Sequence, residues 1–256
     1  MVELSLVQVG LALGLALAAI ALSRWQRLGL MWSLTMATAR TVLQLFAVGY
    51  LLAIVFALRT PWSVFLVLLV MLSVAASVAR NRIDPRLQWL LPAVAGVLLT
   101  STAITVIYTI GVVVRPTIWY DPQYVIPLTG IVLGNAMNAA SIAGDRLVSN
   151  IRRHQIEIET HLSLGATPPQ AIKSYRQEAI KSGLIPTVNA MMIVGIVKLP
   201  GTITGQLLSN QDPLNAAMYQ MLIMFMLAFS DLLASVLITA VLQRRYFNPA
   251  AQLTVP

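Results

Sequence analysis

Long apolar runs separated by short polar clusters dominate this chain. A segment that crosses a bilayer as a helix needs about 20 mainly apolar residues. Seven windows meet that requirement: Leu4–Leu22, Met36–Leu58, Trp62–Ala79, Leu90–Val114, Tyr124–Leu147, Leu184–Leu208 and Ala216–Leu242. The pattern predicts an all-α integral membrane protein of about seven spans, organised as one domain over residues 1–256. The first window follows Glu3, has no basic stretch before it and no small-residue cleavage site after it. It reads as a retained helix, not a signal peptide. Between the windows, Asp121-Pro122 and Asn210-Gln211-Asp212-Pro213 read as turns, because Pro fixes φ and Asn or Asp caps locally. No internal repeat is visible.

Composition supports the membrane reading. The chain is 58% hydrophobic and 10% charged, against about 25% charged in soluble domains. It has no cysteine, which excludes disulfides, thiolate metal sites and cysteine nucleophiles. Its formal charge of +8 would suggest nucleic acid in a soluble protein. Here no basic stripe with interleaved aromatics occurs, and a nucleic-acid partner is not expected.

The positives instead set orientation. With the N-terminus outside, thirteen of the 17 Lys and Arg fall on the inner side: Arg24, Arg27, Arg80, Arg82, Arg86, Arg146, Arg152, Arg153, Lys173, Arg176, Lys181, Arg244 and Arg245. Only Arg59 and Arg115 fall outside, and Arg40 and Lys198 lie within spans. Positive charge concentrates on cytoplasmic loops, so N-out, C-in is predicted.

Residues 150–182 form the one long hydrophilic segment. Gly165-Ala166-Thr167-Pro168-Pro169 must break any helix that precedes it, since Gly ends helices and Pro cannot continue one. Thr167 can cap a second helix that begins at the prolines and covers about Gln170 to Lys181. Helix, Gly-containing elbow and helix make a cytoplasmic bracket suited to carrying force from a partner to the spans. A plain solvated loop is the alternative.

The segment resembles the EAA-type coupling loop of ABC-transporter permeases, with Glu159 six positions before Gly165; Thr160-His161 replaces the usual alanine pair. Wider blocks extend the likeness: Arg40 to Gln44 with Gly49-Tyr50; Gly134-Asn135-Ala-Met-Asn138-Ala-Ala-Ser141 leading to Asp145-Arg146-Leu147; and Gly195-Ile-Val-Lys198-Leu-Pro200-Gly201 leading to Gln206. Together these resemble the FetB-type iron-export permeases, which are related to plant aluminium-tolerance permeases. The resemblance implies a permease homodimer in the inner (plasma) membrane that is driven by a separate ABC-type ATP-binding subunit. Glu159, Gly165, Ala166, Thr167 and Pro168 would form the ATPase-coupling elbow. This chain carries no G-x-x-x-x-G-K-[ST] loop, so ATP and magnesium would bind the partner subunit and no enzymatic activity is expected here. The chain departs from the family at Lys198, where a small residue is more usual, and at Thr202-Ile203, where a methionine pair often follows the Pro-Gly.

Polar groups in hydrocarbon are costly and mark function or helix contacts. Asn135, Asn138 and Ser141 share one helical face, with Gly134 and Gly144 permitting close approach of another helix. They would line a translocation path, join two permeases, or only bond between helices. Lys198, Pro200, Gln206 and Asp231 complete the candidate path, because helices broken by Gly and Pro are where transporters build sites. Lys198 could pair with Asp231. Arg40 and Gln44 lie one turn apart; Arg40 snorkels to the interface or pairs with Asp145 or Glu178. Met192, Met221 and Met224 are weak candidates as soft-metal ligands; methionine more often fills packing gaps. His154, Glu157 and His161 could offer a divalent-metal face, or simply coat a solvated helix.

The resulting expectation is an ABC permease exporting a metal ion. Two rivals stand beside it: a permease for an anionic solute such as a sugar nucleotide, which Lys198 and Arg40 would suit, and an ion-coupled secondary transporter. An intramembrane enzyme would need a nucleophile–base motif, and none is visible.

Overall fold

The computed structural model describes residues 6–58, 60–87, 89–248 and 250–254; Glu3, Arg59 and the start of the first window lie outside the described residues. The chain divides into two compact units, Met1–Thr60 and Pro61–Pro256.

The first unit is a hairpin of α1 (Leu6–Trp25) and α2 (Met31–Leu58). Arg27 and Gly29 adopt φ of 53° and 71°. The Leu28 N–H reaches back to the Ser23 carbonyl at 3.0 Å, and the Arg27 N–H to that of Arg24 at 3.1 Å. That pair of bonds is a Schellman ending, with an arginine where glycine is usual. Arg40 and Gln44 stand on α2 with exposed side chains.

In the second unit α3 (Pro61–Ile83), α4 (Leu90–Tyr108, continued by a π-helical turn to Val114), α5 (Pro122–Arg153) and α10 (Pro213–Tyr246) are the long helices. The polar bracket supplies α6 (Gln155–Ser163), α7 (Pro168–Ala171) and α8 (Lys173–Ile193); α9 (Gly201–Leu208) precedes α10. The two turns read from the sequence are N-caps. Asp121 accepts the Gln123 N–H at 3.0 Å and Asp212 the Asn215 N–H at 3.0 Å, with Pro122 and Pro213 at the first helical positions. Helix α5 is the hub and packs on α3, α4, α8 and α10. The middle of its inward face is small: Ala136, Ala139, Ala140 and Ala143 are buried, between larger residues such as Val132, Leu133 and Leu147. Small residues let helices approach where the surrounding solvent is apolar. A Cβ on Gly183 of α8 would stand 2.6 Å from Ser235 Oγ and 2.8 Å from the Ala139 carbonyl oxygen, and one on Gly144 would stand 2.7 Å from the Ile83 side chain. Gly144 therefore serves as the sequence implies, whereas Gly134 has no neighbour within 4 Å.

Among the described residues five helices are long and apolar enough to cross a membrane: α2, α3, α4 with its π turn, α5 and α10. Helix α1 contributes a shorter apolar stretch, Gly10–Trp25. The outward side chains of α3 and α10, such as Trp62, Phe65, Leu66, Phe225 and Phe229, suit lipid. The window Leu184–Leu208 is not one span. Helix α8 ends at Ile193, Val194 is extended, Gly195 takes φ 81°, and Pro200 opens α9, only eight residues long. The Gly and Pro that predict a kink or break there produce a complete break. Helix α8 also begins earlier than the window, so the second arm of the bracket runs without interruption into the apolar segment.

Candidate functional site

Two features gather the candidate residues: the polar bracket and the outward face of α5. The bracket is built as its sequence dictates. Helix α6 stops where Gly165 takes φ 90°, and the Gly165 and Ala166 N–H groups return to the carbonyls of Leu162 and His161, each at 3.0 Å. Thr167 is extended, Pro168 opens α7, and the Gln170 side chain accepts from the Thr167 N–H at 2.9 Å. Helix α7 lasts four residues before a bend at Ile172 restarts the chain as α8, so the helix expected from Gln170 is two helices.

Ile158, Ala171 and Ile172 are buried and Leu162 half-buried, all in the main core cluster. They anchor the bracket to the membrane helices. Glu159, Gly165 and Thr167 are exposed, and Ala166 and Pro168 half-buried. Ile156 and Leu164 point outward with 82% and 79% of their surface exposed. Single-sequence reading missed that pair, although two apolar residues off the Ile158/Leu162 stripe were the available signal.

Ion pairs brace the bracket's roots. Arg146 Nη2 lies 2.5 Å from Glu178 Oε1, and Asn150 Nδ2 donates to Oε2 at 3.2 Å. The Arg146 guanidinium holds the Glu178 carboxyl below the usual carboxylate range. Arg152 Nη2 lies 2.5 Å from Oδ2 of Asp84, whose side chain is 4% exposed. Burial pushes the Asp84 carboxyl up, but the Arg86 N–H and Arg152 outweigh it and the net direction is down. His154 stacks on Tyr175 at 4.8 Å, while burial and a hydrogen bond to Glu157 push the Tyr175 phenol up to about 12. His154 and Glu157 are thus occupied with Tyr175, and among the described residues no three His, Asp or Glu side chains converge on a metal position. Glu178 is paired with Arg146.

The outward face of α5 is unlike those of α3 and α10. Gly134 and Asn135 are half-buried there and Asn138 and Asp145 exposed. Arg82, on the last turn of α3, donates from Nη1 to Asn138 Oδ1 at 2.7 Å. A helical Cβ tilts toward its own helix N-terminus, so Arg82 leans into the apolar layer instead of out of it. Asn135 spends its amide on the Ile131 carbonyl at 2.8 Å, and Ser141 its hydroxyl on that of Met137 at 2.6 Å. Ser141 is buried, which separates it from the polar face it was grouped with.

Deeper in the unit, Asp231 is buried and accepts from Thr187 Oγ1 at 2.5 Å. Lys198 is exposed in the break, and the pairing with Asp231 that the sequence left open is not made. Pro200 caps α9, the Gln206 side chain is half-buried, and Thr202 donates to Gln220 to clip α9 to α10. Met192 and Met221 are largely exposed and Met224 half-buried.

This sequence matches, over residues 6–247, the family described as "Uncharacterised protein family (UPF0014)". It is 54% identical to the "UPF0014 membrane protein slr1647" of Synechocystis sp., with 100% of this chain and 98% of the relative aligned. It is 31% identical to the "Probable iron export permease protein FetB" of Escherichia coli, covering 96% and 94%. It is 32% identical to "Protein ALUMINUM SENSITIVE 3" of Arabidopsis thaliana, covering 97% and 89%. No solved structure matches it. The resemblance read from the sequence blocks is borne out, and the chain belongs to the UPF0014 family of membrane proteins, alongside FetB.

Proposed function

We propose that this protein is the membrane-spanning permease of an ABC-type transporter, with its arginine-rich loops in the cytosol and its power supplied by a separate ATPase. The bracket carries the reading. It is anchored on the core by Ile158, Ala171 and Ile172, it continues directly into α8, and it turns Ile156, Leu164 and the Gly165 elbow away from the body. Outside a bilayer, exposed apolar side chains on a polar helix suit a protein partner better than water. The partner would hold ATP and magnesium. Two permeases and two ATPases would form the working unit in the plasma membrane, and closure on ATP would move the bracket and with it α5 and α8.

The polar outward face of α5 would line the path between two such permeases. Polar residues on a membrane helix face a bundle interior or a water-filled cavity rather than lipid. The name of the E. coli relative supports export of a metal ion such as iron. A solute bearing an anionic group is the second reading, and Arg82 on Asn138 favours it, since a guanidinium repels a bare cation. The test is ATP-dependent transport in proteoliposomes holding the permease and a co-purified ATPase, assayed with iron and with an anionic sugar nucleotide. Glu159→Ala and Gly165→Ala should uncouple ATP hydrolysis from transport while leaving the fold intact. Unaided transport by the permease, or normal coupling in both variants, would overturn the reading.

A further inference from the structure

At the arginine-rich end of the second unit, the loop joining α3 to α4 is pinned from both sides. Arg80 donates to the Pro85 carbonyl at 2.7 Å and to that of Leu87 at 3.3 Å. Asp84 is held by Arg152 and by the Arg86 N–H at 2.9 Å. These bonds hold the loop at Asp84, Pro85 and Leu87, the residues on either side of Arg86. Across from it, on the last turn of α10, the Arg245 guanidinium carbon lies 5.4 Å from the centre of the Trp89 ring, with Arg244 beside it in sequence. A guanidinium stacked on an indole keeps its N–H edges free for an oxyanion.

The charge balance here is one-sided. Asp84 is paired with Arg152 and also feels the charge of Arg86, and among the described residues no carboxylate lies within ion-pair distance of Arg86, Arg244 or Arg245. All three arginine side chains are exposed. They stand where α4 and α10 leave the apolar layer, and the half-buried Trp89 has the character of a bilayer-interface anchor. We propose that Arg86, Trp89, Arg244 and Arg245 form a binding site for the phosphodiester headgroup of an anionic phospholipid. Basic clusters between membrane helices bind such headgroups, each cation adding about five-fold in affinity. The site is independent of which solute the protein moves.

The test uses the purified full chain in detergent, with spin-labelled phosphatidylglycerol and phosphatidylcholine as probes. The wild type should retain phosphatidylglycerol preferentially. The R244Q/R245Q double variant should lose about 25-fold of that preference, at about five-fold per arginine. R86Q, in an exposed loop position that tolerates change, should lose about five-fold. R115Q, beyond the other end of α4, should lose none. Equal retention of both lipids by the wild type, or undiminished preference in both R86Q and the double variant, would overturn the proposal. Displacement of the labelled lipid by equimolar inorganic phosphate would overturn it too, by assigning the site to free phosphate.

Discussion

Three glycines in the second unit make a graded test of how its membrane helices pack. At Gly183 an added methyl would meet Ser235 Oγ at 2.6 Å, the Ala139 carbonyl oxygen at 2.8 Å and Ala143 Cβ at 3.1 Å. The serine hydroxyl can rotate. The carbonyl cannot, because it belongs to α5, the helix on which everything else leans, so α8 must retreat by several tenths of an ångström. Overpacking of this kind costs about 1–3 kcal/mol, against a gain of about 0.5–1 kcal/mol from replacing Gly by Ala inside a helix. The expected net for Gly183→Ala is a loss of about 1–2 kcal/mol. At Gly144 the methyl meets only the Ile83 side chain, at 2.7 Å. Ile83 is buried and β-branched, and its Cγ1 and Cγ2 also stand at 2.8 and 3.3 Å, so it must shift as a whole. A small net loss of less than about 1 kcal/mol is expected, below that at Gly183, where backbone is met. At Gly134 nothing lies within 4 Å, so Ala should be neutral or should stabilise by up to about 1 kcal/mol. Thermal unfolding in one detergent, followed by circular dichroism, should rank Gly134→Ala at or above the wild type, Gly144→Ala close to it and Gly183→Ala lowest. A Gly183→Ala protein as stable as the wild type would refute the close packing of α5, α8 and α10. Gly134→Ala carries a second readout: stable yet defective in transport, it would mark the outward face of α5 as a working surface.

Ile158→Ala should cost about 2–5 kcal/mol of stability by opening a cavity in the core, whereas Ile156→Asp and Leu164→Asp, at exposed positions, should leave unfolding unchanged and abolish co-purification of the ATPase. Arg152→Ala strips the buried Asp84 carboxylate of its ion pair and should cost about 1–3 kcal/mol; the double variant with Asp84→Ala should recover part of that, as a double-mutant cycle in unfolding would report. Because the Asp84 carboxyl is held below its ordinary value, its contribution is fully present above the unfolded carboxylate value of about 4 and is lost as pH falls through the lower folded value. Wild-type melting temperature should therefore drop on acidification below about pH 4 more steeply than that of Asp84→Asn. Arg82→Gln keeps a donor for Asn138 but removes the charge, and it should weaken transport of an anionic solute while sparing that of a bare metal cation.

The apolar windows located most membrane helices because twenty apolar residues in a row have few alternatives. The elbow at Gly165 and Thr167 was equally legible, since left-handed backbone and N-caps are local chemistry. The break at 194–200 was half legible. Gly195 and Pro200 announced a disturbance, but whether a helix kinks or stops depends on what lies beside it, and that is not written locally. The missed contacts are those that join distant elements: Asp84 to Arg152, Arg82 to Asn138 and Arg146 to Glu178. In the sequence Arg82 and Arg152 counted only toward a loop-charge balance, and Arg146 toward that balance and a motif block, neither of which says anything of partners. Lys198 and Asp231 made the opposite error tempting, since two unlike charges in neighbouring spans invite a pairing that the break at Gly195 removes by turning Lys198 outward.

One helix links the two halves of the proposed machine. Helix α5 has 32 residues, about 48 Å at 1.5 Å per residue, against a hydrocarbon layer of about 30 Å. The excess extends past Asp145, and on it sit Arg146, Asn150 and Arg152, the residues that tie α8 and the α3–α4 loop to the bracket's root. The same rod carries Asn138 on its outward face deeper in the layer. A force applied at the elbow would therefore reach the polar face across the single-residue bends at His154 and Ile172, then through α5 and the two ion pairs at its root. If that is how the parts work together, charge-preserving changes at the root should matter more than their small effect on stability suggests. Arg146→Lys retains the charge opposite Glu178 but loses the two-nitrogen contact that the guanidinium makes from Nε and Nη2. In reconstituted vesicles it should keep ATP hydrolysis near the wild-type rate and move less solute for each ATP. An unchanged ratio in both Arg146→Lys and Arg152→Lys would show that the force takes another route.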